Sequence, residues 1–270
     1  MKSLKTLASA VILCMAASAA QATAIHDAAL FTDNTLAAND DFYTGLVNVG
    51  FNLNFYGSNY NQLYVNNNGN VTFTGPLGTY TPFSLLSTSM PIIAPFFADV
   101  DTRGSGSGLV QYGQDTLGGH NVFGVNWIDV GYYGAHTDKL NSFQLILTDR
   151  TDTGAGNFDF EFNYDQILWE TGDASGGSSG LGGYSARAGW SNGVSTSLEL
   201  PGSAVNGALL DGGPNSLIAD SLNSNTLGQY IFQVRNGEVV GPPTVPEPET
   251  LALLGVGLAG LGFSRRRATK

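Results

Sequence analysis

Phe158-Asp159-Phe160-Glu161-Phe162-Asn163-Tyr164-Asp165 alternates aromatic and polar side chains without a break. A period of two places one set on a buried face and the other in water, which is the pattern of an antiparallel strand covered on one side. The same alternation runs through Phe51, Leu53 and Phe55, set between Asn52 and Asn54. It returns in Tyr230, Phe232 and Val234, set among Ile231, Gln233 and Arg235. The composition predicts further strands at Gln62–Val65, Asn70–Thr74, Val122–Val130, Ser142–Asp149 and Ala186–Trp190. Asn66-Asn67-Asn68-Gly69-Asn70 reads as a tight hairpin turn, because Asn and Gly tolerate positive φ. Gly104–Gly108 and Gly172–Gly183 read as loops. Apart from a short turn near Phe83–Ser87, no segment ahead of Pro246 sustains a helical period, and no internal repeat is evident. Strands of this kind must bury their aromatic faces against a second layer. The expected fold is therefore all-β, a single antiparallel β-sandwich-like domain.

The two ends place this domain. Lys2 and Lys5 precede the apolar stretch Leu7–Ala20, and Ala20-Gln21-Ala22 follows at once. This is the layout of a secretory signal peptide cleaved after Ala22, with Ala24 as the alternative site, and the apolar stretch is short for a membrane anchor. Cys14 is the only cysteine and lies inside the signal, behind Leu13 rather than a small residue, so lipid attachment is not expected. A chain beginning after Ala22 has no cysteine for a disulfide, a thiolate nucleophile or a zinc site. Up to 223 residues remain before Pro246, enough for one large β domain. They carry five basic and twenty acidic side chains, a net charge of about −15. Such a surface repels nucleic acid and anionic lipid, which are bound through Lys and Arg clusters.

At the other end, Val245-Pro246-Glu247-Pro248-Glu249 leads into the apolar run Leu251–Phe263 and then Ser264-Arg265-Arg266-Arg267. The prolines hold the preceding segment extended. As a helix the 13-residue run spans about 20 Å, short of a hydrocarbon core of about 30 Å. Arginines behind it stay cytoplasmic by the positive-inside rule and put the domain outside. This three-part tail resembles the PEP-CTERM sorting signal, with Pro246, Glu247 and Pro248 as its motif and Arg265, Arg266 and Arg267 as its basic end. The resemblance implies transient anchoring in the inner membrane, processing by an exosortase-type enzyme, and release or attachment at the cell surface, with a link to biofilm matrix. The expected organisation is residues 1–22 signal peptide, 23–240 extracellular domain, 241–249 Pro-rich linker, and 250–270 hydrophobic segment with basic tail.

A second resemblance lies within the domain. Pro91-Ile92-Ile93-Ala94-Pro95-Phe96-Phe97-Ala98-Asp99-Val100-Asp101-Thr102 is similar to the opening of the nidogen-like, or NIDO, extracellular domain. Val110-Gln111-Tyr112, Val125-Asn126-Trp127, Asn141-Ser142-Phe143-Gln144, Phe160–Tyr164 and Ala186–Trp190 follow in the family's order. The resemblance covers roughly residues 48–235, with a core from about 90 to 235, and this chain lacks the cysteines of animal relatives. It implies adhesion as a class of function, with extracellular matrix or polysaccharide as the ligand.

Asp99 and Asp101 are the acids that most invite chemistry. Two apart on a strand, they share a face beside a glycine loop, where Ca²⁺ would suit them with Thr102 and loop carbonyls completing the shell. The plainer reading makes them turn residues paired with Arg103; no EF-hand loop is present. Asp159 and Glu161 fall on the wet face of an aromatic strand, where acids are ordinary. Gly176-Gly177-Ser178-Ser179-Gly180 has the form of a nucleophile elbow without the strand and helix an elbow needs. His26, His120 and His136 lack metal-ligand spacing. Gly104–Gly108 is not followed by the Lys and helix of a phosphate loop. Trp127, Trp169 and Trp190 read as core before they read as a sugar platform. No catalytic residue is assigned and no cofactor beyond Ca²⁺. The expected function is binding, with a polysaccharide-active hydrolase on a β-sandwich as the alternative.

Overall fold

The computed structural model describes residues 24–241. The signal peptide with its cleavage after Ala22, the motif Pro246–Pro248, the apolar segment 251–263 expected as a short helix, and Arg265–Arg267 lie outside the described residues. Among the described residues no helix is long and apolar enough to cross a membrane.

The chain forms β1 (Asn34–Thr35), β2 (Val47–Phe55), β3 (Ser58–Asn66), β4 (Asn70–Thr72), β5 (Pro91–Phe97), β6 (Val100–Asp101), β7 (Gln111–Leu117) and β8 (His120–Tyr132). It continues through β9 (His136–Asp149), β10 (Phe158–Gln166), β11 (Gly177–Ser178), β12 (Leu181–Gly182), β13 (Arg187–Asn192), β14 (Ser197–Glu199), β15 (Gln229–Arg235) and β16 (Glu238–Val240). One sheet has the order β1-β7-β8-β9-β10-β15-β16, with β6 beside β8. The facing sheet has the order β14-β13-β5-β4-β3-β2, and β11-β12 forms a separate hairpin. Neighbouring strands run antiparallel throughout both sheets. The short turn expected near Phe83–Ser87 is a single 3-10 turn at Leu85–Ser87.

The alternation in β10 has its expected effect on the inner face. Phe158, Phe160, Phe162 and Tyr164 are buried and face Val49, Phe51, Leu53 and Phe55 of β2 across one shared core. Phe160 stacks on Phe232 of β15 with ring centroids 4.7 Å apart, and Phe55 meets Phe158 edge-on at 6.1 Å. The Tyr164 hydroxyl donates to Pro95 O at 2.6 Å and so ties the two sheets together. β5 is buried on both sides, which explains its unbroken apolar run. Ile93 and Phe96 enter the main core, while Ile92, Ala94 and Phe97 pack with Leu77 and Leu85 behind it. Pro95 has no N–H to give a ladder, and it sits where the β5–β13 register shifts between Arg187↔Phe97 and Gly189↔Ala94.

The outer face of β10 departs from the wet surface expected of it. Asp159 accepts from Arg150 Nη1 at 2.8 Å and from Arg235 Nη1 at 2.6 Å, so it bridges neighbouring strands instead of facing open solvent. Asn163 is fully buried. It belongs to a ladder of amide side chains across four strands, Asn126, Gln144, Asn163 and Gln229, joined at 2.8, 3.2 and 3.3 Å. The segment after Ala24 lies over this ladder: Asn126 Nδ2 donates to Leu30 O at 2.9 Å, and His26 N donates to Gln144 Oε1 at 3.2 Å. His26 Nε2 lies 2.8 Å from Glu161 Oε1, an ion pair when the ring is protonated. A polar patch that an alternating pattern assigns to water is thus covered by chain from about a hundred residues away.

Phe160→Ala removes a fully buried ring and is expected to cost about 3–5 kcal/mol in denaturant unfolding. Asp159→Ala is expected to cost about 1–3 kcal/mol, because two guanidinium hydrogen bonds are lost. The His26 contact predicts a pH signature. Glu161 favours the protonated ring and outweighs burial, so the His26 pKa is raised above 6.5. The tighter proton stabilises the fold fully below the unfolded value, and that contribution fades as pH rises through the raised folded value. His26→Gln is therefore expected to lower the Tm at about pH 5.5 and to leave it nearly unchanged at about pH 9; equal losses at both would contradict the pairing.

Candidate functional site

The segment that follows β5 crosses at Ala98 and Asp99 to β6 in the other sheet, and then passes Thr102 before Arg103 turns into the glycine loop. Asp101 is fully buried and fully engaged. Its Oδ1 accepts from Arg103 N and Nε, both at 2.9 Å; its Oδ2 accepts from Arg103 Nη2 at 2.6 Å and Ala135 N at 2.8 Å. Burial pushes its pKa up, but these donors more than cancel that and hold it below the usual carboxylate range. Thr102 is also committed, since its hydroxyl accepts from Asn39 N and donates to Asn39 O. The structure therefore parts the pair read from the sequence: Asp101 and Thr102 act as local fasteners.

Asp99 turns elsewhere. It is 1% exposed, and neither carboxylate oxygen has a hydrogen-bond partner. Its neighbours are Asp40 and Asp41, brought from the loop between β1 and β2, with oxygens of all three side chains within 4.8 Å of one another. Burial first, then the charges of Asp40, Asp41 and Asp101, push the Asp99 pKa up to about 8. Burial and the charges of Asp101 and Asp41 push Asp40 up to about 6, and burial raises Asp41 as well. Arg103 Nη2 reaches Asp40 Oδ2 at 3.0 Å, which links the loop to the Asp101 pair. The loop 36–43 and Arg103 line one open hollow at the surface. Asp40 and Asp41 escaped sequence reasoning, because nothing in an Asn-Asp-Asp loop marks a contact with a residue nearly sixty positions later. Their adjacency in a loop was the only signal.

The frame of this site is the turn Asn66–Asn70, whose four asparagines are all buried. Asn66 Nδ2 donates to Asn70 Oδ1 at 2.8 Å and to Thr72 Oγ1 at 3.0 Å. Asn67 O accepts from Trp127 Nε1 at 3.0 Å. Asn68 Oδ1 accepts from Val100 N at 2.9 Å, while its Nδ2 donates to Asp41 Oδ1 at 2.8 Å. One side chain thus fixes both β6 and the acidic loop. Gly69 has φ +73°, and a Cβ there would meet Phe96 O at 1.8 Å.

The other candidates stand apart from this cluster. Trp127 and Trp169 are fully buried and Trp190 nearly so, which makes them core. Gly176–Gly180 runs into the β11–β12 hairpin, a short two-strand turn with no elbow helix after it. His120 sits 4.0 Å from Asp152, and His136 lies 3.5 Å from Asp173 while stacking on Tyr132. Asp159 and Glu161 belong to the cover of the first sheet.

Gly69→Ala is expected to destabilise the domain by more than about 2 kcal/mol, since positive φ and a backbone clash both oppose it. Denaturant unfolding with a wild-type midpoint would contradict the close approach of this turn to β5.

The PEP-CTERM protein-sorting motif matches residues 244–267. Alpha-tectorin of Mus musculus is 33% identical over 226 residues, covering 74% of this chain and 10% of the relative. Alpha-tectorin of Homo sapiens is 32% identical over the same shares. Nidogen of Drosophila melanogaster is 29% identical over 206 residues, covering 67% of this chain and 14% of the relative. The chain thus spans between a tenth and a seventh of these relatives' length. No solved structure matches. The nidogen-like domain profile matches residues 61–119 and 114–236, a span that holds the asparagine turn, Asp99 and the strands from β4 to β15. The chain belongs to the nidogen-like domain family.

Proposed function

We propose that this chain is an exported surface or matrix protein whose nidogen-like domain adheres to an extracellular ligand, and that an exosortase-type enzyme processes its tail. A nidogen-like domain joined to a PEP-CTERM motif supports export to the cell surface or extracellular space. The expected division at residues 22, 240 and 249 belongs to this proposal, as does a transient stay in the inner membrane.

The observation that carries the binding reading is where the aromatic side chains go. The sandwich consumes all three tryptophans and most phenylalanines, yet Phe42 is 68% exposed and Tyr43 is 43% exposed on the loop that carries Asp40 and Asp41. Their ring centroids are 6.5 Å apart. Exposed aromatic side chains next to an arginine are the residue types that supply contact energy at interfaces. A hydrolase needs acids that reach the substrate. Asp99 is buried, and Asp40 and Asp41 are each held by one oxygen, on Arg103 and Asn68. The strongly acidic body disfavours a nucleic acid, anionic lipid or acidic glycan ligand and leaves a neutral matrix polysaccharide as the ligand we propose.

Two measurements test this. Intact mass of protein recovered from the cell surface is expected to show loss of the chain through about Ala22 and of the segment beyond Pro246–Pro248; a chain ending at Lys270 would contradict the processing. Phe42→Ala with Tyr43→Ala is expected to weaken adhesion to isolated matrix polysaccharide by at least about tenfold without lowering the Tm. Unchanged adhesion, or release of reducing sugars by the wild type, would overturn the binding reading.

A further inference from the structure

Asp99 poses a problem of charge that the protein alone does not solve. A carboxylate in a buried position needs donors, a proton or a cation, and Asp99 has no donor at either oxygen. Asp40 Oδ1 is likewise buried without a partner. One oxygen of each loop acid is held: Asp40 Oδ2 by Arg103 at 3.0 Å and Asp41 Oδ1 by Asn68 at 2.8 Å. Each loop acid is thus anchored by one oxygen, while Asp99 has both to spare. Around this point four carboxylates, Asp40, Asp41, Asp99 and Asp101, face the single guanidinium of Arg103, which is already bonded to Asp101.

The geometry points to a Ca²⁺ site where Asp40, Asp41 and Asp99 meet, with the carboxylate of Asp99 as its buried wall. The donors are carboxylate oxygens only, which selects a hard cation over zinc or copper. Their spread of up to 4.8 Å fits within the shell of an ion with bonds of about 2.3–2.6 Å, where opposite oxygens stand about 5 Å apart. Mg²⁺ gives up its water reluctantly and is seldom held by a wall of protein carboxylates alone, which makes it the poorer fit. Water entering from the open hollow completes the shell, since three side chains fall short of the six to eight oxygens Ca²⁺ takes. Bound there, the ion joins the loop of Phe42 and Tyr43 to the junction of β5 and β6. The assignment stands whether or not that loop is the adhesive surface.

The test uses the full-length chain in mild detergent, stripped with chelator and then given Ca²⁺ or Mg²⁺ at about 5 mM. Ca²⁺ is expected to raise the Tm by about 5 °C, because an ion bound only by the folded state stabilises it by mass action. Mg²⁺ at the same concentration is expected to do much less. Asp99→Asn relieves the repulsion, so its metal-free Tm is expected to equal or exceed that of the wild type while its Ca²⁺ response falls to within about 1 °C. Asp41→Asn gives a second reading should Asp99→Asn fold poorly, and Asp115→Asn, an exposed acid elsewhere, is expected to keep the full response. A wild type indifferent to Ca²⁺, an equal response to Mg²⁺, or an undiminished Ca²⁺ response in Asp41→Asn or Asp99→Asn would each overturn the site.

Discussion

The turn from Asn66 to Asn70 is buried on every side, and burial obliges each of its amide groups to find a partner. Much else in the domain hangs on how that obligation is met. Asn66 closes the hairpin onto Asn70 and Thr72, Asn67 takes the indole N–H of Trp127 from the facing sheet, and Asn68 holds Val100 and Asp41 together. The turn therefore links both sheets to the acidic loop. A polar turn in an apolar interior is costly when half satisfied and rigid when fully satisfied, and this one is nearly full. Asn67 Oδ1 is its one buried oxygen without a partner.

What lies on either side of the turn depends on two different kinds of contact. The sandwich is held by interleaved rings, Phe158, Phe160 and Phe162 against Phe55 and its neighbours, in a chain whose only cysteine is Cys14. The acidic site is held by directed bonds from Arg103, Asn39 and Asn68. Aromatic packing fixes where the sheets sit, and the polar frame fixes where the carboxylates point. The exposed pair Phe42–Tyr43 comes with that frame, because Asn39 Oδ1 accepts from Phe42 N and Phe42 O accepts from Asn67 N.

The fold was legible where side-chain identity alternates with a period of two. Phe158–Tyr164, Phe51–Phe55 and Tyr230–Val234 announce their buried faces, whereas Pro91–Phe97, buried on both, was legible only as part of a family motif. Partners far apart in sequence were not legible. The wet face expected for Asn163 is covered by His26 and its neighbours, and Asp159 is claimed by Arg150 and Arg235. Asparagine carries the same ambiguity at the turn, since a residue that tolerates positive φ is also one whose amide can serve a buried network. The acidic site was half visible. Asp99 stood out in its motif, but its company is Asp40 and Asp41, because Asp101 is drawn away by a guanidinium two residues on.

Amide and indole hydrogen exchange, followed by NMR, tests most directly the claim that this turn joins core and site. The N–H of Val100 and Gly69 and the indole N–H of Trp127 are expected to exchange only through global unfolding, with the same opening free energy as the amides of Phe160 and Phe232 in the centre of the sheet. Exchange at those three groups on the timescale of an exposed loop, with the sheet centre still protected, would contradict it.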